Sequence, residues 1–297
     1  MRIVVFGASG FVGQKILDLL KKTDIEVYAF VRDKTKVKSY SNVKLFEFDI
    51  NNTQSYYSIL NKIKPDSIIN AIAASNVDWC ETNEEEAMHL NKTFVDDLIC
   101  ISKQIDSHLV HVSTDFIFDG KEGSYQEDSK VSPVNYYGFT KLLAEETIIR
   151  SGVSNSIFRV ILIYGKNSNM HKSNFPLWVK DSLEQGKEIT VVDDQMRSPT
   201  FVDDIAQVCI SASKNKYKGI FNISSEEVLS VYDFALLVAD YLELDKSLIK
   251  PISTSDLNLA AKRPLKTGFI ISKAKEEINF VPTPLLKSLD LIFKQSL

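Results

Sequence analysis

The opening thirteen residues constrain this chain more than any other stretch. Ile3-Val4-Val5-Phe6 is a short apolar run that reads as a buried strand. Gly7-Ala8-Ser9-Gly10-Phe11-Val12-Gly13 follows, with three glycines spaced three apart, and Ile16, Leu17, Leu19 and Leu20 then give the stripe of an amphipathic helix. The order is strand, tight backbone loop and helix N-terminus. The first amides of such a helix lack intrahelical partners, and its dipole is positive there, so a pyrophosphate is favoured. One glycine turns the chain, one clears space for phosphate, and one lets helix and sheet pack closely. The expected contacts with a dinucleotide are Gly7, Ser9, Gly10, Phe11, Val12 and Gly13. The plainer reading is a strand–turn–helix that needs small residues; the complete flanking pattern favours the cofactor.

Strand and helix signals alternate from there, which predicts a parallel sheet with helices on both faces. Expected strands are Ile25–Val31, Val43–Phe48, Ser67–Ala71, Leu109–Ser113 and Ser156–Ile163, with helices within Asn83–Lys103 and over Asn135–Arg150. After Gly165 the elements shorten and prolines become frequent. The fold class expected is α/β: a Rossmann-type doubly wound parallel sheet over residues 1–164, and a smaller α+β substrate-binding lobe over 165–297. The chain is expected to return to the sheet around Ile220–Ile223, within 200–225.

The end of strand two selects the dinucleotide. An acidic side chain there accepts from the adenine ribose hydroxyls and selects NAD. Here the strand runs into Arg32, whose guanidinium suits a 2′-phosphate, so NADP(H) is favoured over NAD(H), although Asp33 stands beside it. Asp49 is placed to accept from the adenine amino group or to cap the next helix, with Ile50 beside it. Ala71 and Ala73, in the small apolar run Asn70–Ala74, suit a chain passing beneath a cofactor.

The chemistry is expected on Tyr137 and Lys141, four apart and so on one helix face. An ammonium and an oxidised nicotinamide would both favour the phenolate over a phenol whose ordinary pKa is near 10. Tyr40 and Lys44 repeat the spacing but precede strand three, and read as surface. Thr114, at the end of strand five, would emerge where open parallel sheets bind ligands and could polarise a carbonyl. Its plainer reading is a β-branched strand residue satisfying a local backbone group. Gly138 inside the helix costs about 1 kcal/mol against alanine, which a close backbone approach to a ligand would explain.

Ser113–Gly120 (STDFIFDG) and Pro133–Glu145 (PVNYYGFTKLLAE) resemble the dTDP-4-dehydrorhamnose reductase family, a branch of the extended short-chain dehydrogenase/reductases. Asn70-Ala71, Val77-Asp78, Glu81, Gln195–Thr200 and Arg263-Pro264 match as well, and the Gly-x-x-Gly-x-x-Gly spacing is that of the superfamily. The resemblance spans nearly the whole chain. It implies NADPH-dependent reduction of the 4-keto group of a nucleotide-activated deoxysugar, with Thr114, Tyr137 and Lys141 as the catalytic set. It puts Asp78, Asp115 and Asn174 on the substrate side. Arg197 and Arg263 are the expected diphosphate contacts, since guanidinium–phosphate pairing is strong and directional, although each would serve as well in a structural ion pair.

Two departures concern the sugar: Leu162 stands where the family usually has tryptophan, and Asn167–Asn174 is longer and more polar than expected. Related dehydratases resemble Thr-Asp-Glu at the end of strand five. Thr114-Asp115-Phe116 lacks that second acid, so a dehydratase is disfavoured. A 4-epimerase needs the same Tyr and Lys. A non-catalytic NADP-binding regulatory subunit, like the β subunit of methionine adenosyltransferase, is the reading from another class.

Composition excludes little else. A net charge of −4 in 297 residues argues for no nucleic-acid partner. No apolar run is long enough for a membrane span, and Ile3–Phe6 is too short for a signal peptide. Cys80, Cys100 and Cys209 are odd in number and widely spaced, which suits a cytoplasmic location. His89, His108, His111 and His171 have no metal-ligand spacing, and His108 and His111 face opposite sides of their strand. No metal is expected; a homodimer is compatible with the reading.

Overall fold

Four apolar residues of the first strand divide between two cores. In the computed structural model, which describes residues 1–38, 40–168 and 174–294, β1 (Arg2–Phe6) turns Ile3 and Val5 to one side and Val4 and Phe6 to the other. Both sides are covered, which is why the run is apolar without alternation. α1 (Phe11–Leu20) and β2 (Glu26–Val31) follow, then β3 (Val43–Glu47), α2 (Thr53–Ile63) and β4 (Ser67–Asn70). Helix α2 is the one expected after Asp49. It starts where Asn52 accepts from the Ser55 amide and ends at Lys64, which has positive φ.

The long helix expected within 83–103 is α4 (Glu84–Met88) running through a π-helical turn, His89–Thr93, into α5 (Phe94–Ile105), and a short helix, α3 (Val77–Thr82), precedes it. β5 (His108–Thr114) and α6 (Tyr136–Ser151) come next; Asn135 accepts from the Gly138 amide and Gly152, at φ 70°, ends the helix. β6 is Asn155–Val160, shorter than expected. Thr200 exchanges hydrogen bonds with Ile161 and draws the chain away, Leu162 turns at φ 37°, and β7 (Ile163–Tyr164) pairs elsewhere. Then come α7 (Phe175–Glu184), β8 (Ile189–Val192), β9 (Met196–Arg197), β10 (Thr200–Phe201), α8 (Val202–Asn215) and β11 (Gly219–Ile223). The chain ends with β12 (Leu229–Ser230), α9 (Val231–Tyr241), β13 (Ile249–Ile252), α10 (Ser272–Ile278) and α11 (Leu285–Phe293).

The main sheet is parallel throughout, in the order β11-β6-β5-β4-β1-β2-β3. Strand order reverses between β1 and β4, the switch point at which such sheets bind ligands. One face packs α1 and α8 over Val5, Val27 and Val110; the other packs α2, α5 and α6 over Phe6, Phe30 and Leu109. A third core joins α7, α9 and α11 to the parallel pair β8–β13 through Tyr164, Val179, Phe234 and Leu289. The fold is therefore the Rossmann-type α/β class. β11 pairs with β6, so the chain does return to the sheet at 219–223. In α9, Phe234 and Val238 are buried while Leu237 and Tyr241 pack around them. Most of the polar loop 167–174, His171 included, lies outside the described residues. No helix among the described residues is long and apolar enough to cross a membrane.

Candidate active site

The glycine loop lies directly against the end of β4. Gly7 has φ +77°, and a Cβ there would stand 2.9 Å from the Ala71 backbone. A Cβ on Gly13 would stand 2.2 Å from the Gly7 carbonyl oxygen, so α1 approaches the loop as only glycine permits. Two cavities open over this junction. One, of about 210 Å³, is lined by Gly7, Ser9, Gly10, Val31, Arg32, Ile50, Ala71 and Ala73. The other, of about 500 Å³, is lined by Gly10, Phe11, Val12, Ala71, Ala73, Ser113, Thr114, Asp115, Tyr137, Lys141 and Leu162. They share Gly10, Ala71, Ile72 and Ala73, so together they form one trough across the switch point. A helix N-terminus at its centre, small residues beneath it and a guanidinium at one end fit a dinucleotide. Asp49 lines neither cavity: its Oδ1 accepts from the Asn51 backbone amide and Nδ2, each at 3.0 Å, and shapes the turn before α2.

At the other end, β5 delivers Thr114 and Asp115 and α6 delivers Tyr137 and Lys141, all nearly buried. The Thr114 hydroxyl donates to Asp115 Oδ1 at 3.1 Å, and Thr267 donates to Asp115 Oδ2 at 2.5 Å. Burial raises the Asp115 carboxyl above its usual range, opposed by Arg197 and by these two hydroxyls. Burial also pushes the Tyr137 phenol up; a hydrogen bond from Thr114 opposes this, and Asp115 and Cys80 add to it. Desolvation is the largest of these influences, and Lys141, expected to favour the phenolate, is not among the groups that act on the phenol. Lys141 itself is pushed down to about 8 by burial, against the pull of Glu145. The Tyr40–Lys44 pair is elsewhere, and Tyr40 is not on the surface as expected: half-buried, it donates to Asp18 at 2.5 Å and meets the Ser168 hydroxyl at 2.9 Å.

Three residues behind this cluster escaped the sequence reading. Asn91, turned inward by the π-helical turn, accepts from the Ala74 amide at 2.8 Å and donates to Thr140 at 3.0 Å, tying the segment beneath the trough to α6. Asn70 and His111 stand behind Lys141: His111 Nε2 is 3.0 Å from Lys141 Nζ. A buried histidine in the strand that carries Thr114 was the one available signal.

The substrate-side residues divide differently from expectation. Arg197 is 4% exposed and donates to the carbonyls of Met196, Leu265 and Pro264 and to Gln195, so its guanidinium braces the chain instead of facing a diphosphate. Arg263 pairs with Asp78 at 2.6 Å, and Asp78 also accepts from the Ala261 amide at 3.0 Å. Asn174 donates to the Gly165 carbonyl at 2.7 Å at the start of α7, away from the trough lining. Asp203 and Asp204 lie in the first turn of α8, where carboxylates suit the helix dipole, and reach out to Lys15 and Thr283. Gly138 approaches protein and not ligand: a Cβ there would lie 2.1 Å from the Phe116 carbonyl oxygen.

Comparison with known proteins agrees with this geometry. The family described as the RmlD substrate binding domain matches residues 1–297. A dTDP-4-dehydrorhamnose reductase from Aggregatibacter actinomycetemcomitans is 30% identical over 305 residues, covering 97% of each chain. The crystal structure of a dTDP-4-dehydrorhamnose reductase from Clostridium acetobutylicum superposes with a TM-score of 0.86 over 99% of both chains, at 26% identity. The β subunit of methionine adenosyltransferase 2 from Danio rerio is 26% identical over 89% of this chain and 80% of its own. The protein belongs to the dTDP-4-dehydrorhamnose reductase (RmlD) family of NAD(P)-dependent oxidoreductases.

Proposed function

We propose that the protein reduces the 4-keto group of a nucleotide-activated deoxysugar with NADPH. The observation that carries this reading is the continuous trough: it has Arg32 at one end and Thr114, Tyr137 and Lys141 at the other. When bound, NADPH supplies the hydride. Gly7, Ser9, Gly10, Phe11, Val12 and Gly13 would hold its pyrophosphate, Arg32 and Ile50 its adenosine end, and Ala71 and Ala73 the floor beneath it. Tyr137, kept protonated by burial, is the acid that gives its proton to the carbonyl oxygen. The Thr114 hydroxyl, whose single proton goes to Asp115 in this structure, would turn from that carboxylate to donate to the carbonyl oxygen and orient it. Lys141 lines the same end of the trough. Leu162, Val77, Phe116 and Ile163 give the substrate end an apolar wall suited to the face of a deoxysugar. Of the expected substrate-side residues, Asp115 lines the trough, and Asp78, held in its pair with Arg263, directly follows the lining residue Val77.

The test is NADPH and NADH consumption with a dTDP-4-keto-6-deoxy sugar, alongside Tyr137→Phe. Turnover with NADPH that falls at least about 10²-fold in the variant is expected, the usual contribution of a positioned acid. Turnover that survives loss of the phenol would overturn the assignment of Tyr137. The similarity to a methionine adenosyltransferase β subunit favours one second reading, a regulatory subunit. Tight NADPH binding with no turnover on any keto sugar, and stable association with a partner enzyme, would establish it instead.

A further inference from the structure

One helical turn after Lys141, Glu145 stands on the same inward face of α6, and both residues are 1% exposed. Arg159 comes to the carboxylate from β6. Its Nε and Nη2 donate to the two Glu145 oxygens at 2.7–3.2 Å, and its Nη1 donates to the Glu127 carbonyl at 2.9 Å. Strand register ties this pair to the lysine. Arg159 is paired with Ser113 across β5 and β6, and the residue before Ser113, Val112, gives its carbonyl to Lys141 Nζ at 2.7 Å. Guanidinium, carboxylate and ammonium thus form one buried row of charges.

A buried ion pair adds little stability over well-packed apolar side chains, so its place in this core calls for another role. Lys141 supplies one. The groups that meet its nitrogen, His111 Nε2 at 3.0 Å and the Val112 carbonyl, carry no negative charge. Burial lowers the lysine to about 8, and Glu145 is the carboxylate that opposes the fall. At about 8 the group is about nine-tenths ammonium at pH 7; a further tenfold fall would leave about half of it neutral.

We infer that Glu145 is a positioning residue for the reaction: shared between Arg159 and Lys141, its carboxylate keeps the lysine an ammonium through the neutral range, and Arg159 limits how much of that charge the lysine feels. The other charged and titratable groups around Lys141 do not compete for this role. On α6, burial keeps the Tyr137 phenol protonated. On β5, burial takes His111 well below its ordinary value, and Asp115, at the strand end, is engaged by Thr114 and Thr267. From α3, the Cys80 thiol is pushed up to about 11, and β4 offers only the uncharged Asn70. On α5, Asp96 pairs with Lys92 and Asp97 accepts from the Tyr56 hydroxyl. The consequence is a donor for the trough. An ammonium has three N–H bonds; one goes to Val112, one faces His111, and the third is left for the cavity that Lys141 lines. This consequence rests on the proposed reductase reading, because a bound cofactor must receive the bond; the row of charges does not.

The experiment is heteronuclear NMR on the full chain without ligands, with ¹³C,¹⁵N-labelled lysine and the Lys141 signal assigned by its loss in Lys141→Arg. The parent should titrate near 8 at this site. Glu145→Gln should lower that value by at least about tenfold in the protonation equilibrium, and Arg159→Met, which frees the carboxylate, should raise it. The two signs separate the inference from a merely structural pair, whose loss would admit water and raise the lysine in both variants. Glu145→Gln/Arg159→Met leaves no buried charge unpaired and should titrate below the parent, so it replaces Glu145→Gln if the single variant does not fold. A titration unmoved or raised by removal of the carboxylate, or lowered in Arg159→Met, overturns the inference. The alkaline limb of kcat on a keto sugar should move by the same factor. Absence of turnover together with the expected titrations would sink the proposed function and leave this inference standing.

Discussion

Gly138→Ala separates the geometric argument for the active site from the chemical one. Gly138 follows Tyr137 in α6 and touches neither cavity, yet a Cβ on it would fall 2.1 Å from the Phe116 oxygen, 2.8 Å from its carbonyl carbon and 3.1 Å from Pro133 Cβ. A tolerable carbon–oxygen contact begins near about 3.3 Å, so helix and turn must separate by roughly 1.2 Å. Neither side yields cheaply. Asn135 fixes the start of α6 through the Gly138 amide at 2.8 Å and the Lys262 carbonyl at 2.8 Å; the 115–117 turn is closed by Phe118 N to Asp115 O at 3.0 Å and tied to Ser132 through Ile117 O at 2.9 Å. Alanine regains about 1 kcal/mol of helix propensity. Overpacking of this kind typically costs about 1–3 kcal/mol, and a clash with backbone belongs at or above the upper end. The expected net loss is about 2 kcal/mol, or about 4–8 °C in Tm. Because the displaced parts are those that carry Tyr137 and Thr114–Asp115, a shift near 1 Å should also lower kcat about 10²-fold. NADPH affinity should stay unchanged. Thermal unfolding, NADPH titration and turnover measured together form the assay. A variant as stable as the parent, with turnover within about threefold, would refute the reasoning.

Two further outcomes follow from buried charge. Arg159→Leu leaves Glu145 uncompensated and should cost about 3–5 kcal/mol in urea unfolding, while Arg159→Leu/Glu145→Leu should recover most of it, since only the unpaired charge is costly. If the double variant is as unstable as the single, the pair is not the source. His108 is buried between the Ser154 and Ser156 hydroxyls, and burial pushes it down to about 4. Unfolded, it titrates near 6.5, so its share of stability is complete above that pH and is lost as pH falls toward 4, about 3 kcal/mol in all. Subtracting the stability curve of His108→Gln from that of the parent should expose this loss between pH 6.5 and 4; parallel curves would remove His108 as its cause.

Much of this was legible because it depends on local spacing. The glycine triplet, Arg32 at the end of β2, and Tyr137 with Lys141 on one helical turn are separations of a few residues, and backbone periodicity turns such separations into directions. The trough lining follows from them, since strand ends in an open parallel sheet converge at the switch point. Strand six was overextended for the opposite reason. Its residues are apolar from Val160 through Tyr164, but what ends it is Thr200, 39 positions after Ile161, accepting from the Ile161 amide at 3.0 Å. No local pattern records that. The π-helical turn that aims Asn91 inward was equally hidden: three-state patterning reads a helix through 84–105 and misassigns the faces beyond the extra residue.

The arginines show where reading charge from sequence fails. A guanidinium in a polar stretch looks available for a phosphate, but Arg197 is consumed by carbonyls of residues 196, 264 and 265, and Arg263 by Asp78. Those acceptors belong to, or hold, one irregular segment, 261–267. The same segment gives Lys262 O to the Asn135 side chain and the Thr267 hydroxyl to Asp115, which in turn holds Thr114. The charges that the sequence offered as substrate contacts thus fasten the C-terminal part of the chain to the end of β5 and the start of α6. Proline and unpaired backbone make such a segment unreadable by periodicity, because its order comes from side chains elsewhere satisfying its carbonyls.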